Sequence, residues 1–433
     1  MAKSKETTVG IMDPNSLSFP EAIEGLFEKL NLHIKYEGTE HSVSTRRIKC
    51  RPYNTLAANT SCSAILNRGA HWNPHHNSFF TLVAHKVYLL NDMNSFKAID
   101  KNIGYGQMAE LGMKIPKTWA IPQQDYSGFE KADRVNTELI FRDHELFSLE
   151  EIGEQVGYPA FLKPQDGGGW VGVERVKNPQ ELVDAYNKSG ARPQNLQEAI
   201  EYREFVRTVG VGPQLLPMHY NADAEFSHDR YLRNENQAVD PAFLSTEEFK
   251  EVSQLCKIVN AFYKWDHNSC ECLIDNAGNV RPIDFANAYP DSTVISLHYY
   301  FPDLVKAMVR WLTFCSVTGR VKPVPYAYDW RDYFEIKNRA EKEGMSYHEL
   351  LDEYEKLADK YYDTEKFNAF CAEHLKDFDE IAVEYFESDD YARILEAEVV
   401  NYFTLAHEQP AKFAHYNGIH SFWCHCERER MQG

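Results

Sequence analysis

An α/β fold with a helical C-terminal extension is the architecture the sequence predicts, and three patterns predict it. Apolar runs such as Ser63 to Gly69 and Lys86 to Asn91 end on polar residues, as strands do where an α/β sheet meets a ligand. Two further segments, Tyr158 to Val176 and Cys270 to Asn287, read as pairs of strands joined without a helix. Beyond residue 300 the pattern turns helical, and from Trp330 to Tyr402 it is amphipathic, acidic and rich in Tyr and Phe.

A chain of 433 residues has room for two or three domains. Hydrophobic content of 43% with 13% aromatics fits an ordered globular protein. The formal charge of -19 argues against nucleic acid, which is held by clustered Lys and Arg. It does not argue against ATP, which arrives with magnesium. No long uncharged apolar run suggests a membrane span, and MAKSKETTVG lacks a secretory apolar segment, so a cytoplasmic location is expected. Nine scattered cysteines fit reduced thiols. Cys270 and Cys272 alternate in a strand and read as core. Cys424, His425 and Cys426 have ligand-like spacing but no complementary cluster, which leaves a metal there open.

Taken in order, Pro20 to Leu32 predicts an amphipathic helix. The run from Ser63 ends at Arg68, whose guanidinium could clamp a carboxylate with two hydrogen bonds. His71, His75 and His76 follow; structural or surface roles are the commoner reading, and accepting an amine's proton is the alternative. Asp100 to Leu111 is helical, closed by Gly112, with Pro116 beyond. Residues 122 to 145 are polar and irregular. Ala160-Phe161-Leu162 then ends on Lys163, and Gly167, Gly168, Gly169 and Gly172 form a loop. The G-x-G-x-x-G reading needs a helix straight after the loop. Here the helix starts only at Asn178, Pro179 and Glu181, so the loop joins two antiparallel strands. Glycine backbone can point N–H groups at phosphate, and Lys163 adds a fixed charge. A glycine hairpin with a surface lysine reads the same residues equally well. Gln197 to Ile200 opens a region of short β runs that includes Glu204 to Gly212.

In Cys270 to Asn287, two alternating strands flank Asn276 to Asn279, read as a four-residue loop. Pairing Asp275 with Val280 sets Glu271 opposite Asp284, with Cβ atoms about 4.5–5.5 Å apart. Like charges there destabilise the sheet, and a divalent cation would remove that cost. Asn287 can add a neutral oxygen. A shifted register is the competing reading.

Together these pieces resemble the ATP-grasp superfamily, closest to its glutathione synthetase and ribosomal-protein glutamate-ligase branch. The resemblance covers about residues 60 to 320. It implies an N-terminal pre-ATP-grasp α/β domain over 1–99 and a two-part ATP-grasp domain over 100–325. The parts are 100–195 with the glycine lid and 196–325 with the hinge and metal, followed by a helical extension over 326–433. Lys101, near Ala109, Gly112 and Pro116-Lys117-Thr118, is similar to the family's first phosphate lysine, and Lys163 to its second. Gly167, Gly168, Gly169 and Gly172 resemble its lid. Gln197, Glu198, Ile200 and Glu204 fall where its hinge holds adenine. Arg207 resembles the arginine that reaches phosphate or acyl phosphate, Arg68 one that holds a substrate carboxylate, and Glu271, Asp284 and Asn287 its metal ligands. The usual Glu-x-Asn is one residue longer here, Asp284-Phe285-Ala286-Asn287, and nothing after 330 has a counterpart.

The resemblance implies an ATP-dependent ligase joining a carboxylate to an amine, an amino acid or a peptide, through an acyl phosphate. ATP and magnesium are the implied cofactors, as two ions, with manganese as a substitute. A thiol ligase or small-molecule kinase on the same fold, or a nucleotide-binding regulatory protein, are the alternatives. A homo-oligomer is left open.

Overall fold

The computed structural model describes residues 3–93, 100–126, 145–166, 170–231, 243–287, 289–321 and 330–432. Strands β1 (Lys3–Met12), β2 (His33–Tyr36), β3 (Thr39–Arg47), β4 (Cys62–Asn67) and β5 (Tyr88–Leu90) form a sheet in the order β2-β3-β1-β4-β5. β3, β1, β4 and β5 run parallel, and β2 joins β3 as an antiparallel hairpin. The chain leaves β1 through the helix Ser18–Leu30 to build β2 and β3 on one side, then places β4 on the other. The winding therefore switches at the carboxyl ends of β1 and β4. Helix Ser18–Leu30 buries Phe19, Ile23, Leu26 and Phe27 at three- and four-residue spacing, and Asn31 ends it in the left-handed conformation.

A second sheet holds β6 (Thr118–Ile121), β7 (Ala160–Pro164), β8 (Glu174–Val176) and β9 (Gln194–Glu198) in the order β6-β9-β7-β8. β7 and β8 are antiparallel, as expected of strands joined by the glycine loop. Side chains alternate along them. Ile121, Ala160, Leu162, Val176 and Leu196 pack against Ile152, Val156, Leu182 and Ala185 of the helices Leu149–Val156 and Pro179–Lys188. Register then puts Thr118, Lys163, Asn195 and Gln197 on the other face. A third sheet runs β11-β10-β12-β13, from β10 (Tyr202–Val211), β11 (Gln214–His219), β12 (His267–Asp275) and β13 (Val280–Asn287).

The turn after β12 is closed by hydrogen bonds to Asp275. The Asp275 N–H donates to Asn279 O at 3.0 Å, and Gly278 N–H to Asp275 O at 3.0 Å. Gly278, at φ +85, turns the chain in a conformation that side chains disfavour. The Asp275 carboxylate holds it by accepting from the N–H groups of Ala277 (2.9 Å) and Asn279 (2.8 Å). β12 closes at Asp275 and β13 opens at Val280, so Asn276 to Asn279 are the four residues between the strands, as expected.

The chain folds as two compact units, each assembled from separated stretches: Met1–Phe96, Phe205–Ser269 and Ala288–Gly433 form the first, Lys97–Glu204 and Cys270–Asn287 the second. The C-terminal helices belong to the first. Tyr362 and Phe367 approach the Trp311 ring at 5.9 and 5.4 Å, and Phe370 meets Phe314 at 5.5 Å, both on the helix Phe301–Val317. Buried Lys306 on that helix bonds Asp379 at 2.8 Å and Glu427 at 2.5 Å. At the other end of the chain, Ser18 N–H donates to Glu398 Oε2 at 2.7 Å. Cys270 and Cys272 are buried, as expected. No helix among the described residues is long and apolar enough to cross a membrane.

Candidate active site

Lys163 stands near the end of β7 on the polar face of its sheet. Its Nζ donates to Gln197 Oε1 at 2.8 Å and to Ile283 O at 3.2 Å. Tyr105 OH donates to the same carbonyl at 2.7 Å, and its ring lies 5.1 Å from Lys163 Nζ. Tyr105 sits one turn after Lys101 on the helix Lys101–Glu110, so both share a face. Asp100 caps that helix by accepting from Asn102 and Ile103 N–H, which fixes buried Lys101 at the first position. Lys101 Nζ lies 3.1 Å from Asp284 Oδ2.

Burial pushes the Lys163 ammonium down to about 8; Asp284 opposes the fall, Lys101 adds to it, and Glu271 opposes it. Both carboxylates therefore act on Lys163. Burial holds the Tyr105 hydroxyl well above its usual range, and Asp284 and Glu271 raise it further. Among the described residues no group of three His, Cys, Asp or Glu could hold a metal, so a cation here would draw on Glu271, Asp284 and the Asn287 amide. The same finding leaves Cys424, His425 and Cys426 without a metal cluster among the described residues.

At the expected hinge, Glu198 N–H donates to Lys117 O at 2.9 Å, and Lys117 N–H to Glu198 Oε2 at 3.2 Å. Gln197 uses its side chain to hold Lys163 and, through Nε2, Thr118 Oγ1 at 2.8 Å. Ile200 is half-buried just past β9, and Glu204 is buried in β10. Fully buried Asn195 leaves both amide atoms without a hydrogen-bond partner, two residues before Gln197 and on its face. The register sets Asn195 opposite Lys163, so this amide and that ammonium lie on the same face of the sheet. Gly172, at φ +77, takes a conformation that side chains disfavour, and an added Cβ would lie 3.1 Å from Pro164. Gly167, Gly168 and Gly169 lie outside the described residues.

The second unit thus gathers Lys101, Lys163, Gln197, Glu271 and Asp284, with Asn287 ending the strand of Asp284. Arg207 and Arg68 belong to the first unit. Arg207 Nη1 donates to Tyr231 OH and Asp291 Oδ2, both at 3.1 Å, and its guanidinium lies 4.2 Å from the Tyr220 ring centre. Arg68 is buried with its three nitrogens on Asp13 Oδ2 (2.8 Å), His267 Nε2 (2.9 Å) and Pro290 O (3.1 Å). A guanidinium so occupied braces loops. It does not sit ready to clamp a carboxylate, as the strand end had suggested. Burial pushes His71 down to about 4 and lowers His76, while His75 Nε2 lies 2.8 Å from Arg51 O.

Sequence reasoning missed Tyr105, Asn195, Tyr231 and Asp291. The four-residue step from Lys101 to Tyr105 was a usable signal. The Arg207–Asp291 pair, 84 residues apart, carried none.

Residues 115–308 match the family model described as D-ala D-ala ligase C-terminus. Lys163, Glu271 and Asp284 all fall inside it. Among curated relatives, a D-alanine--D-alanine ligase of Prochlorococcus marinus (strain AS9601) is 26% identical over 198 residues, 43% of this chain and 52% of the relative. A D-alanine--D-alanine ligase of Bacillus velezensis gives the same identity and coverage. The chain spans about half the length of these relatives. The VanG D-Ala:D-Ser ligase from Enterococcus faecalis aligns at 13% identity and TM-score 0.45, over 73% of this chain and 100% of its own.

Proposed function

We propose that this protein is an ATP-dependent ligase that joins a carboxylate to an amine, with an amino acid or peptide among its substrates. The observation that carries the reading is the gathering of Lys101, Lys163, Glu271 and Asp284 in one unit. Residues 100–325 are the proposed catalytic span. Lys101 and Lys163 would meet the ATP phosphates, with the segment from Gln197 to Glu204 at the adenine and Gly172 in the lid. Glu271, Asp284 and Asn287 would hold two magnesium ions, manganese substituting; bound there, the ions neutralise phosphate charge.

The substrate carboxylate attacks the terminal phosphorus of ATP and ADP leaves, forming an acyl phosphate. The amine then attacks the acyl carbon, loses a proton and expels phosphate. Lys101 and Lys163 stabilise charge that shifts onto ADP, and Arg207 takes the charge developing on the transferred group. Excluding water preserves the acyl phosphate.

The test is ADP and phosphate release on offering pools of amino acids and dipeptides. A ligase gives stoichiometric ADP and a new amide only when acid and amine are both present. Lys163→Ala should weaken ATP binding about tenfold or more while the fold persists. ATP affinity unchanged in that variant, or ADP release without any amide, would overturn the reading.

A further inference from the structure

We propose that His71, Trp72 and Tyr289 form a subsite that selects the ligase's substrate by a flat aromatic ring, that of an aromatic amino acid, free or in a peptide. The proposal rests on the ligase reading for its reaction and on the first unit for its geometry.

Ligands of open α/β sheets sit outside the carboxyl ends of the strands, where the winding switches. Here that point lies at β1 and β4. The loop after β1 carries Asp13 and Pro14; the loop after β4 carries Arg68, Gly69, His71 and Trp72. The buried Arg68–Asp13 pair ties the two loops together. Gly69 permits their close approach, since a Cβ there would lie 2.8 Å from Pro14. What the switch point presents is a set of rings. His71 and Trp72 centroids are 3.7 Å apart, His71 and Tyr289 4.0 Å, Trp72 and Tyr289 4.4 Å. The Arg68 guanidinium lies 5.7 Å from the Tyr289 ring centre, which makes Arg68 a positioning residue for the stack.

Trp72 is 62% exposed despite these contacts. A held ring with a bare face at a switch point is a binding surface formed in advance. Burial keeps the His71 ring neutral at neutral pH, so the stack itself offers no cation to a carboxylate or phosphate. What it offers is π-surface, which flat rings recognise.

The experiment has two arms on the full chain. In the first, calorimetry without nucleotide titrates phenylalanine, tyrosine and tryptophan against leucine and alanine, each also as a dipeptide. Aromatic ligands should bind and aliphatic ones should not; Trp72→Ala should abolish that binding and Trp72→Phe retain most of it. In the second, ADP release should favour aromatic substrates. Trp72→Ala should raise their KM roughly fivefold to tenfold with kcat within about twofold. Circular dichroism and ATP affinity check the variant's fold, and Tyr289→Leu serves if Trp72→Ala misfolds. Leucine binding as well as phenylalanine, no aromatic binding at all, or a preference that survives Trp72→Ala overturns the subsite. If ADP release fails with every pool while Trp72-dependent aromatic binding persists, the ligase reading fails and the subsite stands.

Discussion

Lys163 is an ammonium held in surroundings that disfavour its charge, and its titration near 8 has two consequences. In the protein without nucleotide, the unfolded chain binds the extra proton from about pH 8 up to the ordinary lysine value of 10.5, so stability should rise across that window. Phosphate beside the ammonium would raise its pKa, so ATP binding above pH 8 must take up a proton. ATP affinity should be flat below pH 7 and fall above pH 8 by up to about tenfold per unit. Calorimetry in buffers of different ionisation enthalpy measures this, and Lys163→Arg should remove the fall below pH 10. Asp303 shows the opposite sign. Burial lifts its carboxyl to about 6 against Lys306, with Glu427 adding to the rise. The native state keeps that proton from pH 4 to 6 after the unfolded chain has lost it, so stability falls as pH rises through the window. Asp303→Asn should therefore stabilise the protein at pH 7.5 by about 1–2 kcal/mol, with no gain below pH 4, in thermal melts. Trp423 Nε1, 3.2 Å from Asp303 Oδ2, keeps an acceptor in the amide.

At the scale of elements, Gly212 follows β10 at φ +56, and an added Cβ would lie 2.4 Å from the Trp311 ring. Gly212→Ala should cost about 2–4 kcal/mol, from backbone strain and a displaced Trp311, read as a lower urea midpoint. Gly38→Ala, also at positive φ but with nothing near, separates strain from crowding and should cost about 1 kcal/mol. Such elements were partly legible in the sequence. The alternation of Ala160 and Leu162 against Lys163 marked which face of β7 is buried, because pleating fixes it. Asp100, Gly112 and Pro116 bounded the helix carrying Lys101. The loop from Asn276 to Asn279 was legible because Asn, Gly and Asn interrupt two alternating runs. Arg68 misled: a strand-end arginine looks the same in sequence whether it meets a substrate or a buried aspartate 55 residues away.

For the whole molecule, the C-terminal segment was legible as amphipathic helices and its partners were not. Aromatic spacing shows that a face is buried and is silent about what covers it. The structure seats Tyr362, Phe367 and Phe370 on Trp311 and Phe314 inside the first unit. Removing residues 330–433 would uncover both rings and strip Lys306 of Asp379 and Glu427. The truncated chain should lose its cooperative melt and aggregate, whereas Phe367→Ala alone should cost about 3–5 kcal/mol with solubility retained. A soluble truncation melting like the full chain would contradict the packing.

The hydrogen bond from Ser18 to Glu398 joins residues 380 positions apart. A ribosome adds about 5–20 residues per second, so the acceptor emerges on the order of twenty to eighty seconds after its donor. During that interval Lys101, Lys163, Glu271 and Asp284 have all left the exit tunnel, while the helix Ser18–Leu30 still lacks Glu398. The nascent chain can thus complete its second unit first and must keep its earliest helix waiting, which makes the beginning of this protein the part most in need of chaperone cover.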